Sequence, residues 1–151
     1  MPQSLANIYI HIIFSSKNHI CFLDDCHIRK EMHAYLASIL NTYDSPALIV
    51  GGSADHIHIL CILSRNNTLA KIIGETKRNS SKWIKTKSQK CSKFQWQNGY
   101  GAFSVSYSNV QRIRNYISNQ EKHHQKTTFK EEFLTFFKKH AVEFDEKYVC
   151  D

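Results

Sequence analysis

The order of strand-like and helix-like segments is the feature that most constrains the fold of this 151-residue chain. Runs of β-branched and aromatic residues predict strands, and apolar residues spaced three or four apart predict helices. The predicted order is β-α-β-β-α-β-α-α. The segments are a strand at Ile8–Ser15, a helix from Asp24 and Asp25 to Asn41, strands at Ala47–Val50 and His56–Leu63, a helix capped by Thr68 and extending to Ile84, a strand at Ala102–Ser106, a helix from Asn109 to Gln120, and a helix from Thr128 to about His140.

The first six segments predict an α+β fold of the ferredoxin-like, or split βαβ, type. In that arrangement an antiparallel sheet carries helices on one face, and its open face often meets nucleic acid. The last two segments add a helix that bears Tyr116 and one further helix. With five Gly, two Pro and no linker-like stretch, the chain is predicted to form a single domain over residues 1–151.

Charge and cysteine content narrow the range of partners and compartments. The formal net charge is +7 and the pI is near 9.2, which favours a polyanionic partner, nucleic acid first and an anionic membrane second. Five cysteines without a CxxC motif predict reduced thiols in a cytosol. Cys21, Cys26 and His27 make only an incomplete zinc pattern. No apolar run is long enough for a membrane helix, so no membrane partner is expected.

His56 and His58 lie two residues apart on the third predicted strand, so their side chains point to the same face. Two imidazoles on one face are a plausible pair of metal ligands. With nine histidines in the chain, such a pair also arises by chance. The other residues of this strand are apolar on both faces, which predicts a central strand where polar rings need partners. His11 is predicted to be a buried histidine of the first strand.

Tyr116 and Gln120 are four residues apart and share one face of their predicted helix. Tyr116 is either a core aromatic beside Ile113 and Ile117 or a nucleophile, which would need an electrophile polarised by a divalent cation. Gln120 would then offer an amide oxygen as third ligand, which suits Mg²⁺ or Mn²⁺. The pair His123-His124 is typical of a helix C-terminus, where imidazoles interact favourably with the dipole.

A basic run lies on and after the second predicted helix. It is either a solvated helix face or, with Trp83 among the cations, a surface for phosphates and stacked bases of single-stranded nucleic acid. Its members are Lys77, Arg78, Lys82, Lys85 and Lys87.

Several longer stretches resemble one known family. About 60 residues after His56-Ile57-His58, a helix reads Y-I-x-x-Q-x-x-H-H. Residues 96–106 (WQNGYGAFSVS) resemble the signature WQxGYGAFSVS, residues 116–132 match YIxxQxxHHxxxxFxxE, and residues 14–18 (FSSKN) resemble FSTKN. With these motifs nearly the whole chain resembles the HUH-superfamily single-tyrosine transposases of small bacterial insertion sequences. It departs at His19 and Cys21, where that family usually has Arg and Pro.

The resemblance implies a metal-dependent enzyme that acts on single-stranded DNA. His56, His58 and Gln120 are implied ligands of a divalent metal, Mg²⁺ or Mn²⁺, and Tyr116 is the implied nucleophile that forms a 5′-phosphotyrosine. The implied partners are DNA hairpins at the ends of the element and a second copy of the chain in a homodimer, in the bacterial cytoplasm at the nucleoid. The expected DNA-binding residues are Lys17, Lys77, Arg78, Lys82 and Lys85.

Two other functions stay open at this point. The same residues would serve a host nuclease that acts on repeated palindromes, and genomic neighbourhood would separate this role from transposition. A catalytically silent nucleic-acid binder with the same fold is the second alternative. Covalent attachment to DNA would exclude the silent binder.

Overall fold

The structure, a computed structural model, describes residue 3 and residues 5–123 and 127–144, which contain four strands, five α-helices and three short 3-10 helices. The strands are β1 (Tyr9–Ser15), β2 (Ala47–Gly52), β3 (His56–Ile62) and β4 (Gly101–Val105). The helices are α1 (Cys26–Thr42), α2 (Leu69–Lys85), α3 (Val110–Ser118), α4 (Gln120–His123) and α5 (Phe129–Lys139).

The strands form one antiparallel sheet in the order β2-β3-β1-β4. In this order the two strands of each βαβ unit are separated by one strand of the other unit. The order therefore confirms the ferredoxin-like prediction. Strand β3 is central, as its two apolar faces indicate, and it pairs with β1 so that His58 lies opposite Ile13. The two predicted histidines therefore lie in the middle of the sheet.

Each face of the sheet is buried against its own set of helices. On one face, Phe14 and Ile57 belong to a large apolar cluster that α1 and α2 complete. On the other face, Ile13 and Phe103 pack against the phenylalanines of α5. This second face is not open, because α3, α4 and α5 cover it. Helix α5 buries a stripe of four phenylalanines there, Phe129, Phe133, Phe136 and Phe137.

Side-chain caps begin three of the helices as the sequence predicts. Asp25 accepts a hydrogen bond from the backbone N–H of His27 at 2.8 Å, and Thr68 and Thr128 cap α2 and α5 in the same way. Asn109 precedes α3, but its side chain donates to Ser106 Oγ at 2.9 Å and caps nothing. Helix α3 therefore begins without a side-chain cap from Asn109.

The predicted helix from Asn109 to Gln120 is interrupted at Asn119. This residue has φ −100° and ψ 15°, outside the helical region, and it separates α3 from α4. Its side-chain amide donates to the carbonyl of Asn115 at 2.9 Å, a local bond of the kind that competes with regular helix. Gln120 consequently begins a new short helix, although its side chain still donates to the carbonyl of Tyr116 at 3.4 Å.

Two glycines allow the C-terminal helices to approach the sheet closely. A Cβ atom on Gly51 of β2 would lie 2.7 Å from Ile117 Cγ2 and 2.8 Å from the Ile117 carbonyl. A Cβ atom on Gly101 of β4 would lie 2.5 Å from Phe133. Contacts this short exclude any larger residue without movement of α3 or α5. Gly51 therefore helps to determine where Tyr116, one residue before Ile117, can stand.

The cysteines Cys21, Cys26, Cys61 and Cys91 are free thiols, and Cys150 lies outside the described residues. Within the residues described, the incomplete zinc pattern of Cys21, Cys26 and His27 forms no group of close ligand atoms. In the same part of the chain, no helix has the length and apolar character needed to cross a membrane.

Candidate active site

Strand β3 directs His56 and His58 toward the helices on the second face of the sheet. Both side chains are fully buried, and their ring centroids are 5.2 Å apart. The two rings share one face because successive side chains of a strand alternate. The geometry agrees with the predicted pairing of the two histidines.

The Nε2 atoms of both histidines face oxygen atoms from the C-terminal helices. His56 Nε2 lies 3.0 Å from Gln120 Oε1, and His58 Nε2 lies 2.8 Å from Glu132 Oε1. The same Glu132 oxygen is 3.8 Å from His56 Nε2, and the Glu132 side chain is only 2% exposed. Four side chains from β3, α4 and α5 thus converge in one buried site.

The outer ring nitrogens of the two histidines have different partners. His56 Nδ1 lies 2.8 Å from Asp55 Oδ1 and 3.1 Å from Ser53 Oγ. His58 Nδ1 lies 2.8 Å from Nε2 of His11, which is itself fully buried in β1. Such partners on Nδ1 fix the ring orientation and leave Nε2 to face the site.

Tyr116 brings a hydroxyl group to the same carboxylate. Its hydroxyl donates to Glu132 Oε2 in a short contact and lies 3.3 Å from His123 Nε2. Burial raises the pKa of Tyr116 well above its ordinary value, and the negative charge of Glu132 raises it further. The phenol is therefore neutral near pH 7. It borders an open cavity of about 240 Å³ that Glu132 and Phe136 also line, so a substrate can reach it.

The donor set fits a divalent cation. Ligand atoms of His56, His58 and Glu132 all lie within 4.8 Å of one another. Among the described residues, this is the one group of His, Cys, Asp or Glu side chains with that proximity. Gln120 Oε1 adds a neutral oxygen beside His56. Two imidazole nitrogens with carboxylate and amide oxygens suit a cation such as Mn²⁺, and carboxylate and carbonyl oxygens also suit Mg²⁺.

Sequence reasoning matched Glu132 to a family pattern but gave it no role in the site. A signal was available, because a carboxylate that interrupts the phenylalanine stripe of α5 must be buried and needs partners. His123 was expected merely to interact with a helix end, but its Nε2 lies 3.2 Å from Glu132 Oε2. His124 lies outside the described residues.

The residues predicted to bind DNA fall into two groups. Lys17, Lys77 and Arg78 line an open hollow of about 420 Å³ near the end of β1, with Gln95 and Asn98 among its other walls. Lys82 and Lys85 are exposed farther along α2 and do not line this hollow.

Lys77 and Trp83 are already occupied by contacts within the protein. Lys77 Nζ donates to the carbonyls of Gln97 at 2.9 Å and Gly99 at 2.6 Å, and burial lowers its pKa to about 8. Lys77 therefore holds the loop before β4. The ring of Trp83 stacks on Tyr35 with a centroid distance of 4.7 Å, which leaves one ring face unavailable for a base.

Comparison with known proteins indicates the family to which the chain belongs. The model of IS200-like transposases matches residues 4–120. A protein described as a transposase from Deinococcus radiodurans R1 is structurally similar, with a TM-score of 0.62 and 18% identity over 80% of this chain and 95% of that chain. A REP-associated tyrosine transposase bound to a REP hairpin has a TM-score of 0.50 and 9% identity over 80% of this chain and 70% of that chain.

A search of curated protein sequences finds no significant match. The two structural likenesses show the fold, and the family model covers most of the chain. The chain therefore belongs to the IS200-like transposases, a family of enzymes that cut DNA and transfer its strands.

Proposed function

We propose that the chain is a metal-dependent transposase that cleaves and rejoins single-stranded DNA through Tyr116. The observation that carries this proposal is the Glu132 carboxylate, which contacts both His58 and the Tyr116 hydroxyl in one buried site. A core tyrosine would not need a buried acid shared with two histidines. This arrangement favours the interpretation of Tyr116 as a nucleophile over its interpretation as a core aromatic.

In this proposal His56, His58, Glu132 and Gln120 hold the cation. The cation neutralises phosphate charge and stabilises the leaving oxygen. The two histidines would supply ring nitrogens as ligands, and Asp55 and His11 orient the two rings through their outer nitrogens. Glu132 supplies negative charge from a buried side chain, where charge interactions are stronger than in bulk water.

Tyr116 supplies the nucleophile, and Glu132 accepts its proton. As the phenolic oxygen bonds to phosphorus, the bond from phosphorus to the 3′ oxygen breaks, and that oxygen takes a proton to become a 3′-OH. The products are a 5′-phosphotyrosine and a free 3′ end. The phosphotyrosine keeps the energy of the phosphodiester, so attack by a 3′-OH rejoins the DNA and returns the proton to Tyr116. The raised pKa of Tyr116 explains why a proton acceptor must be adjacent.

We propose DNA hairpins as the substrate and the exposed cations as their phosphate contacts. The REP-associated neighbour is bound to a REP hairpin, which supports a hairpin as the probe. Lys17, Arg78, Lys82 and Lys85 are exposed and basic, whereas Lys77 acts mainly on the loop before β4. We also propose a bacterial cytoplasmic location at the nucleoid, where such a substrate is found.

A covalent-adduct assay tests the function. A labelled single-stranded hairpin from the flanks of the gene is incubated with protein and Mn²⁺ and analysed on a denaturing gel. We expect a protein–DNA adduct that disappears with chelator and in Tyr116→Phe, while hairpin binding persists. Tyr107→Phe is the matched control, because Tyr107 is 79% exposed and takes no part in the site. Binding without an adduct at hairpins from both flanks would favour the silent binder.

We further propose that the enzyme acts as a homodimer. Light scattering should then give twice the chain mass of 17.6 kDa. Mixing Tyr116→Phe with His56→Ala tests whether one subunit completes the site of the other. Restored cleavage indicates action between subunits. No restoration indicates that Tyr116 serves the site of its own chain, where its hydroxyl already contacts Glu132.

A further inference from the structure

His11 is a buried polar residue that the proposed chemistry does not use directly. It lies in β1, fully buried, and its ring packs edge-on against Phe136 with a centroid distance of 5.1 Å. Its Nε2 is 2.8 Å from His58 Nδ1, and its Nδ1 has no hydrogen-bond partner among the described residues. An imidazole in such surroundings is costly unless its one polar contact matters.

The His11–His58 contact can hold its proton in two ways, because a neutral imidazole carries one N–H. When His11 Nε2 is the donor, His58 Nδ1 accepts, and the His58 proton sits on Nε2, where it points to Glu132 Oε1 2.8 Å away. When His58 Nδ1 is the donor, His11 Nε2 accepts, and the Nε2 lone pair of His58 faces the site. Only the second arrangement leaves His58 able to coordinate a metal.

The two proposed histidine ligands therefore differ in how firmly their tautomers are fixed. At His56, Asp55 and Gln120 offer acceptor oxygens to Nδ1 and Nε2 respectively, and the charged carboxylate is the stronger acceptor, so it favours the proton on Nδ1. His11 can donate or accept, so it permits both tautomers of His58.

We propose that His11 is a positioning residue for the metal site: by accepting the Nδ1 proton of His58, it directs the His58 Nε2 lone pair into the site. This inference rests on the proposed metal dependence. Without metal, His11 donates from Nε2 and His58 donates to Glu132. With metal, one proton passes from His11 Nε2 to His58 Nδ1, the proton on His58 Nε2 leaves, and one is taken up at His11 Nδ1. Both rings are neutral before and after the change, because the pair releases one proton and takes up one.

Mn²⁺ binding by three variants tests the positioning role. His11→Gln places an amide oxygen near the position of Nε2 and keeps an acceptor, while His11→Leu keeps bulk and removes it. Ile13→Val is the matched control, since Ile13 lies on the same face of β1 and belongs to the apolar cluster of that face. Calorimetric titration should show binding about 10- to 100-fold weaker in His11→Leu, the range for loss of such an outer partner. His11→Gln and Ile13→Val should bind within about threefold of the wild type.

The outcomes separate this inference from the proposed function. Failure of the wild type to bind Mn²⁺, or binding unchanged by His56→Ala, would overturn the metal site itself. Wild-type binding that depends on His56 but is unchanged in a folded His11→Leu would overturn the role of His11 alone. Thermal unfolding of each metal-free variant establishes that it is folded.

Nitrogen NMR of the unaltered protein gives a test that does not depend on a variant folding. With ¹⁵N-labelled histidine, the ring shifts report which nitrogen carries the proton. We expect His11 to be protonated at Nε2 without metal and at Nδ1 with saturating Mg²⁺. A His11 ring that keeps its proton on Nε2 in the Mg²⁺-loaded protein would overturn the inference.

Discussion

Glu132→Leu removes a carboxylate that contacts both the histidine pair and Tyr116. The change deletes the acceptor 2.8 Å from Nε2 of the fully buried His58. Loss of a buried hydrogen-bond partner costs about 1–3 kcal/mol. For a chain of this length each kcal/mol lowers Tm by about 2–4 °C. We therefore expect the Tm of the metal-free protein to fall by roughly 2–12 °C.

The response of Tm to metal isolates the role of Glu132 as a ligand. A ligand present at 100 times its Kd stabilises a protein by about 2.7 kcal/mol, which corresponds to a rise in Tm of roughly 5–11 °C. If loss of Glu132 weakens binding at least tenfold, the same Mn²⁺ concentration gives about 1.4 kcal/mol or less. The metal-dependent rise in Tm should then be at most about half that of the wild type.

Scanning calorimetry with and without MnCl₂ measures both effects. Glu132→Gln keeps the size of the side chain and removes its charge, and it should also lose Mn²⁺ affinity. Glu131→Gln is the matched control, because Glu131 is the adjacent residue of α5 and its side chain is exposed. A rise in Tm with Mn²⁺ as large in Glu132→Leu as in the wild type would refute the assignment of Glu132 as a ligand.

Three further substitutions test the basic surface and a half-buried histidine, His33. Lys82→Ala should weaken hairpin binding and reduce the slope of log K against log salt by about one, and an unchanged slope in titrations would make Lys82 part of a solvated helix face. Lys77→Met should instead lower Tm, by the loss of bonds to the carbonyls of Gln97 and Gly99, and a wild-type unfolding curve would contradict this. Burial lowers the pKa of His33 to about 4 from 6.5, so the unfolded chain takes up this proton first and stability falls as pH drops from about 6.5 to 4. His33→Gln should reduce this acid-dependent loss of stability by up to about 3 kcal/mol. If the variant and the wild type lose stability equally steeply between pH 6.5 and 4, His33 is not the group responsible.

Much of the fold follows from local sequence patterns. The strands and the starts of α1, α2 and α5 are predictable because β-branched runs and capping residues act within a few residues. The central place of β3 is also predictable, since both of its faces are apolar. The break at Asn119 is not predictable from the sequence. The side-chain bond to the Asn115 carbonyl competes with the regular helix, and the two differ only slightly in free energy.

Long-range packing explains what the sequence does not show about the site. The pairing of His56 and His58 follows from strand alternation, and Tyr116 and Gln120 from their spacing. Glu132 reaches them only because α5 closes over the sheet, an approach that depends on Gly101. A site residue that only tertiary packing brings to the site can be recognised in the sequence at most indirectly. For Glu132 the indirect signal is a carboxylate within an apolar stripe.

The residue attached to DNA is the most direct measure of the central claim. The Mn²⁺-dependent adduct with a hairpin from the gene's flanks is digested with trypsin and nuclease and analysed by mass spectrometry. We predict that a 5′-linked nucleotide phosphate lies on Tyr116, in the peptide of residues 115–122 that follows Arg114. The other DNA fragment should end in a 3′-OH that a polymerase can extend. Attachment to any other residue, or cleavage that leaves no nucleotide on the protein, would contradict the assignment of Tyr116 as the nucleophile.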